Sequence, residues 1–486
     1  MSRIFRCALR AAILFLLPHL AWAQEQLRAG VAKTVVTPDV HQNKVYIAGF
    51  GHNRVATGVH DNLYARCLAL AAGGQILVLC SVDVIGLFYD DVLKIREQVK
   101  AQAPEVSHLI VAATHVHEGP DTLGLWGPDP PHTGMDGNYL ESLDSEIAST
   151  AVRASHFMQS ARLELTRDDH PLLGMLQSVD RPPIVKDPYL FVMRLTSVDT
   201  GAPIAVLVNW SDHPETLGGE NTEISADYPH WLCQYVENHL GGTVIFFNGS
   251  LGKVSSMGNQ VALPDPDTGE IAKDHTWRKA ELVGTAVGQL VERALQSSET
   301  AAVDSFWIRK SMLFVPLEND HFRTAEAAGI FSGRKPLYTD GKLDASTVQK
   351  ALTGRGTIRV AAGHDLQTEV DYVELRSSER VAAEIVTIPG EIYPELINGG
   401  ITRYPGADYP DAPFEPILRG RLKSRYQFIF GLGNDELGYL IPKAEWDNQP
   451  PWLLGRPQRW YGEINSVGPD VSAVVLRALV ELMEKR

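Results

Sequence analysis

Chemistry in this chain is concentrated where apolar runs stop. The apolar run Leu109 to Ala113 ends at Thr114, His115 and His117 follow at alternate positions, and Gly119-Pro120 turns the chain. A short apolar run closed by a turn signal predicts a buried strand. Residues i and i+2 of extended chain point the same way, so both imidazoles project from one strand end. Paired imidazoles there suit a transition metal, bound at about 2.0–2.1 Å from nitrogen. The pair alone is weak evidence. With 16 His in 486 residues, His-x-His arises by chance about half a time.

The context adds weight, because the pattern recurs. The run Ile204 to Asn209 leads into Trp210-Ser211-Asp212-His213-Pro214-Glu215. Val244 to Phe247 leads into Asn248-Gly249-Ser250-Leu251-Gly252-Lys253-Val254-Ser255. Glu384 to Ile388 ends at Pro389-Gly390-Glu391, and Tyr426 to Phe430 leads through Gly431 and Gly433 to Gly438-Tyr439. Each predicted strand ends in a turn that presents one polar group. Two His and one Glu make a familiar zinc set with a position left for water. Asp83, just past the predicted strand Ile76 to Val82, is either a carboxylate orienting a ligand histidine or an ordinary cap. His108, His132, His230 and His239 lack a strand-end setting and are read as structural.

Around these ends the elements alternate. Ala29 to Pro38 opens as a strand, and Asn62–Ala72 and Gln75–Val82 form a hairpin about Gly73-Gly74. Asp90 or Asp91 caps a helix with Val92, Ile95 and Val99 on its apolar face. The order strand, helix, strand through Leu109 predicts a βαβ unit, whose sites lie at carboxyl ends of strands. Leu123 to Gly137 is a long loop that forms a rim. Further helices are predicted over 139–157, 228–239, 281–295 and 470–485. The expected fold is α/β: one large domain over 24–486, with mixed β-sheets flanked by helices and a metal site at strand ends.

Residues 1–23 read as a secretory signal, with Arg3, Arg6 and Arg10 before an apolar stretch and Ala21-Trp22-Ala23 at the cleavage site. Export to the periplasm or beyond follows, and no later run is long enough to span a bilayer. The net charge of −15 excludes a general nucleic-acid binder, which needs excess Lys and Arg. Beyond Cys7 in the signal, Cys67, Cys80 and Cys233 allow at most one disulfide. Their apolar surroundings predict buried free thiols, and the lack of Cys-x-x-Cys argues against a thiolate zinc site.

Taken together, Ala112 to Pro120, Asn209-Trp210 with His213-Pro214, Ile388-Pro389-Gly390-Glu391 and Gly438-Tyr439 resemble the neutral/alkaline (non-lysosomal) ceramidase family, zinc amidases that cleave N-acyl sphingosine. The resemblance implies Zn2+ held by His115, His213, Glu391 and Tyr439. His117 would exchange a proton with the leaving amine, and Arg181 and Tyr461 would steady the substrate oxygen. It further implies cleavage of an N-acyl lipid amide such as ceramide by a metal-bound water, with transient contact to a lipid surface. The family's Gly-Asp-Val-Ser-Pro is here Gly252-Lys253-Val254-Ser255-Ser256, so Ser255 is either a site residue or a plain turn serine. The family's C-terminal β-sandwich is not expected, because the chain ends soon after Tyr461. Two other readings stay open: a zinc esterase or amidase on a smaller substrate, and an exported binding protein without turnover, which Lys253 favours. A metallo-β-lactamase-type site is disfavoured, since no Asp-His pair follows His117.

Overall fold

The computed structural model describes residues 26–258, 261–331, 334–344, 363–378 and 380–485; the expected signal, residues 1–23, lies outside them. The predicted apolar runs become strands, and Tyr64–Ala72, Gln75–Val82, His108–Ala113 and Pro203–Trp210 are buried on both faces. Nine strands form one sheet. Eight run across it in the order Thr243–Asn248, Pro203–Trp210, Leu190–Ser197, Gln159–Asp168, Arg28–Val35, Tyr64–Ala72, Gln75–Val82 and His108–Ala113, and Glu299–Ala301 pairs with Gln159–Asp168. The pairs at both ends of this order are parallel, as a βαβ crossover requires, and the middle is antiparallel.

A second, six-stranded sheet is built around the long antiparallel pair Ser305–Pro316 and Asp365–Arg376, continuing through Val381–Thr387 to Gln427–Phe430. The two sheets share a core in which Leu79, Ile110, Leu207, Ile245 and Phe247 meet Val373, Ile385, Phe428 and Phe430. Phe247 and Phe430 stack with centroids 3.9 Å apart. Helices Tyr89–Gln102 and Gly137–His156 cover one outer region of the large sheet, and Tyr228–Leu240 with Trp277–Leu295 cover another. The last helix, Val471–Glu484, packs against the second sheet. This is the expected mixed α/β architecture.

Two features of this frame set up the site. The large sheet curls until its edges face each other. Ser81 Oγ donates to Phe246 O, and Asn248 Nδ2 donates to Thr114 O at 3.1 Å. The second sheet is stapled to the first by Asn209, whose Nδ2 donates to Ile429 O at 2.8 Å and whose Oδ1 accepts from Ile429 N at 2.9 Å. Helix crossing is tight as well: a Cβ on Gly284 would lie 2.3 Å from Tyr228 O, so only glycine lets the two helices approach there.

Three expectations need correction. Cys67 and Cys80 are disulfide-bonded, not free thiols, because the hairpin register sets them directly opposite on adjacent strands; Cys233 is buried and free. The helix after the βαβ strand starts at Tyr89 with Phe88 as its cap residue, so neither Asp90 nor Asp91 is the cap. Asp91 instead sits at the third position and accepts from Phe88 N at 3.3 Å. Trp277–Leu295 begins a turn before the predicted Glu281, since Thr276 caps it by accepting from Lys279 N.

Candidate metal centre

His115 follows the strand His108–Ala113 with φ 67°, a left-handed conformation that costs a non-glycine residue energy and is characteristic of constrained sites. The bend turns its ring so that Nδ1 donates to Ile85 O at 2.7 Å. His213, past the strand Pro203–Trp210, makes the matching bond: Nδ1 donates to Val254 O at 2.8 Å. With Nδ1 donating in both rings, Nε2 is the nitrogen each ring turns toward the centre. Both Nε2 atoms face Glu391 Oε2, at 3.3 Å from His115 and 2.9 Å from His213.

Glu391 is positioned by a two-residue parallel pairing of Glu391–Ile392 with Tyr439–Leu440, which sets its side chain beside the Tyr439 phenol. Tyr439 OH lies 3.4 Å from His213 Nε2. Two donors bound to one zinc at about 2.0–2.1 Å, with about 90–110° between them, are about 2.9–3.4 Å apart. The observed separations fall in that range. His115, His213, Glu391 and Tyr439 therefore converge at separations that a single metal ion allows, with donor types that suit one.

Without an ion, the same groups set one another's charge. Burial would raise the Glu391 carboxyl, but the two imidazoles hold it down to about 2. Burial would lower His213, yet Glu391 and Glu215 hold it up to about 9. Burial pushes the Tyr439 phenol well above its usual range, and the Glu391 charge adds to this.

His117 projects into the same space. Ligating atoms of His115, His117 and His213 lie within 4.8 Å of one another. Burial, with His115, His213 and Arg54 beside it, drives the His117 imidazole well below its ordinary pKa, so it is neutral. Neither of its ring nitrogens has a hydrogen-bond partner, although both are buried. Its backbone is fixed by a bond from His117 N to Pro214 O at 3.0 Å and by Arg54 at its carbonyl. Gly49 lies against the ring: a Cβ there would stand 2.4 Å from His117 Cγ.

The remaining expected residues line a cleft of about 750 Å³ that opens from this centre. Ser255 pairs its backbone with Ser178, and its Oγ accepts from Met257 N at 3.0 Å. Tyr461 stands at the mouth, 56% exposed, edge-on to Tyr439 at 5.9 Å. Arg181 is buried in the wall with its donors engaged, at 2.7 and 2.8 Å from Glu463 and at 2.6 Å from Glu445 O. Lys253 is buried against Glu395 and donates to Pro183 O at 2.6 Å and Arg181 O at 3.3 Å, so it braces the Arg181 turn. Asp83 does not reach the histidines. It pairs with Arg66 at 2.5 Å and accepts from Tyr64 N. His108, expected to be structural, pairs with Asp371 at 3.0 Å and forms with Asp371 and Glu369 a second buried group whose ligating atoms lie within 4.8 Å of one another.

Glu215 is the site residue that sequence reasoning passed over. It lines the cleft with its Oε2 3.5 Å from His117 Nδ1. Its spacing from His213, two residues across a proline, was the available signal. Adjoining the cleft at His117, Tyr439 and Tyr461 is a narrow slot of about 40 Å³, walled by Phe88, Leu123, Leu125, Trp126, Phe322 and Phe331. The predicted rim loop, 123–137, contributes three of these walls.

The sequence matches no family model and no curated protein. Solved structures do match. Neutral ceramidase from Pseudomonas aeruginosa superposes with a TM-score of 0.62 at 16% identity, over 94% of this chain and 74% of that one. A structure described as ceramidase complexed with C2 gives a TM-score of 0.62 at 15% identity, over 94% of this chain and 75% of that one. At this identity the likeness is one of architecture, and the chain has the fold of neutral ceramidase.

Proposed function

We propose that this protein is a zinc-dependent hydrolase of an amide bond in an N-acyl lipid of the ceramide class. The observation that carries the reading is the convergence of His115 Nε2 and His213 Nε2 on Glu391 Oε2. His115, His213, Glu391 and Tyr439 would hold the ion. When bound, zinc lowers the pKa of a water and polarises a carbonyl.

The chain's own residues supply the rest. His117, neutral and without other partners, carries a proton to the leaving nitrogen. Glu215 beside it favours the cationic ring that exists while the proton is in transit. The Tyr461 phenol donates to the substrate oxygen as charge develops there. Arg181 contributes positive charge in the cleft wall and, through Glu463, holds the turn bearing Trp460 and Tyr461. Ser255 offers its hydroxyl to the bound substrate.

Tyr461, exposed at the cleft mouth, suits transient contact with a lipid surface. Among the described residues no helix is long and apolar enough to cross a membrane. The sequence signal and the Cys67–Cys80 disulfide support an exported protein, since disulfides persist in oxidising compartments.

The test is zinc content by mass spectrometry alongside cleavage of fluorogenic N-acyl amides by the purified chain. His213→Ala removes metal and activity together. Zinc retained at wild-type stoichiometry in that variant defeats the ligand assignment, and zinc without any amide cleavage in the wild type defeats the amidase reading.

A further inference from the structure

The rings of His115 and His213 are anchored through Nδ1 to Ile85 O and Val254 O. The ring of His117 has no such anchor, since both its nitrogens are buried without a hydrogen-bond partner. Its aim depends instead on its backbone and on what packs against its faces. Two of those contacts come from one short segment. Gly49 lies so close that a Cβ there would stand 2.4 Å from His117 Cγ, and Phe50 stands edge-on to the ring with centroids 5.2 Å apart.

One guanidinium grips both the histidine loop and that segment. Arg54 is 7% exposed. Its Nη2 donates to His117 O and, at 2.6 Å, to Ala48 O, and its Nη1 donates to Gly218 O at 3.4 Å. Its Cζ lies over the Phe50 ring, 5.0 Å from the centroid. The fully buried Glu118 carboxylate stands 3.3 Å from Nη2 and balances its charge, and Asn221 Nδ2 holds that carboxylate at 2.9 Å. The hydrogen bonds of Arg54 reach none of the four expected metal ligands, and Arg54 lines neither the cleft nor the slot.

We propose that Arg54 is the positioning residue of His117. Its planar fork fixes the histidine backbone and the Gly49-Phe50 wall relative to each other, and so aims an imidazole that has no anchor of its own. A catalytic group must stay within about 0.5 Å of its working place, and a shift of about 1 Å can cost about 100-fold in rate. This inference rests on the amidase reading and adds to it a residue outside the substrate's reach.

The test uses Arg54→Met, Arg54→Lys and the double variant Arg54→Met/Glu118→Gln, with zinc per chain, thermal stability, kcat and KM on a fluorogenic N-acyl amide. Arg54→Met leaves Glu118 buried without its charge partner and lowers stability; the added Glu118→Gln removes that charge and restores stability. In both, zinc stays at wild-type stoichiometry and KM within about threefold, while kcat falls about 100-fold. Arg54→Lys, a point charge in place of a fork, recovers kcat in part. A kcat that returns with stability in the double variant reveals a merely structural role and overturns the proposal. So does zinc lost in step with kcat in that variant, or a loss that falls on KM alone. If the methionine variants do not fold, Arg54→Lys decides: lowered kcat at unchanged KM and zinc supports the proposal, and wild-type kcat refutes it.

If the wild type cleaves no amide, the amidase reading fails, and the positioning claim is judged by crystal structures of the wild type and of Arg54→Lys and the double variant. A His117 ring displaced by about 1 Å in a variant, with His115 and His213 in place, supports it. A ring that has not moved refutes it.

Discussion

Replacing Gly49 by alanine separates the role of His117 from that of the metal ligands. Gly49 has φ +97°, and an added Cβ would meet His117 Cγ at 2.4 Å, Nδ1 at 2.5 Å and Cβ at 2.6 Å. A non-glycine residue held there costs about 1–3 kcal/mol of stability. The contact must also relax to about 3.5 Å or more, which displaces the imidazole by about 1 Å. A misplacement of that size can lower catalysis about 100-fold. His115, His213, Glu391 and Tyr439 hold their places through other segments, so zinc binding survives. The assay is kcat/KM on an N-acyl amide, zinc per chain and thermal stability, all on Gly49→Ala. The expected result is full zinc, modestly lowered stability and a fall of about 100-fold in kcat/KM. Activity within a few-fold of wild type refutes the claim that His117 works from this position. Zinc lost along with activity would make His117 a ligand instead of a proton carrier.

The remaining predictions address stability and composition. In the metal-free chain, Glu391 is depressed to about 2 and His213 raised to about 9. The stability their pairing contributes is therefore complete only between the ordinary values of 4.5 and 6.5, falls as pH drops through 2, and falls as pH rises through 9. Melting temperatures of the metal-free chain across this range check it, and a flat profile counts against the pairing. Lys253→Ala leaves Glu395 as an uncompensated buried carboxylate and costs about 3–5 kcal/mol, read by denaturant unfolding; a loss below about 1 kcal/mol, the scale of an exposed pair, shows the pair to be solvated. Thiol titration of the denatured, signal-free chain finds one free thiol, Cys233, and reduction releases two more; three thiols before reduction contradicts the disulfide.

Much of the frame was legible because buried strands write themselves as apolar runs with turn residues after them. The hairpin about Gly73-Gly74 and the helices covering the sheets needed only local pattern. The strand-end groups His115, His117, His213, Ser255, Glu391 and Tyr439 were legible because a polar group just past an apolar run is visible in one dimension, whereas the choice of four of them as ligands rested on the family resemblance. Glu215 was not, because nothing local distinguishes a turn carboxylate facing a histidine from one facing water. The Cys67–Cys80 bond was missed for a related reason: apolar neighbours indicate burial, and only the hairpin register shows the two residues directly opposite. The pairing of Arg181 with Glu463, 282 positions away, was not legible, because it depends on tertiary closure alone.

The curl of the large sheet has a consequence for assembly. His115 and His213 issue from strands near opposite margins of that sheet, and Glu391 follows a strand of the other. None of the three is near another until the margins have met and the sheets are stapled. A centre assembled from these residues therefore exists only while that seam is closed.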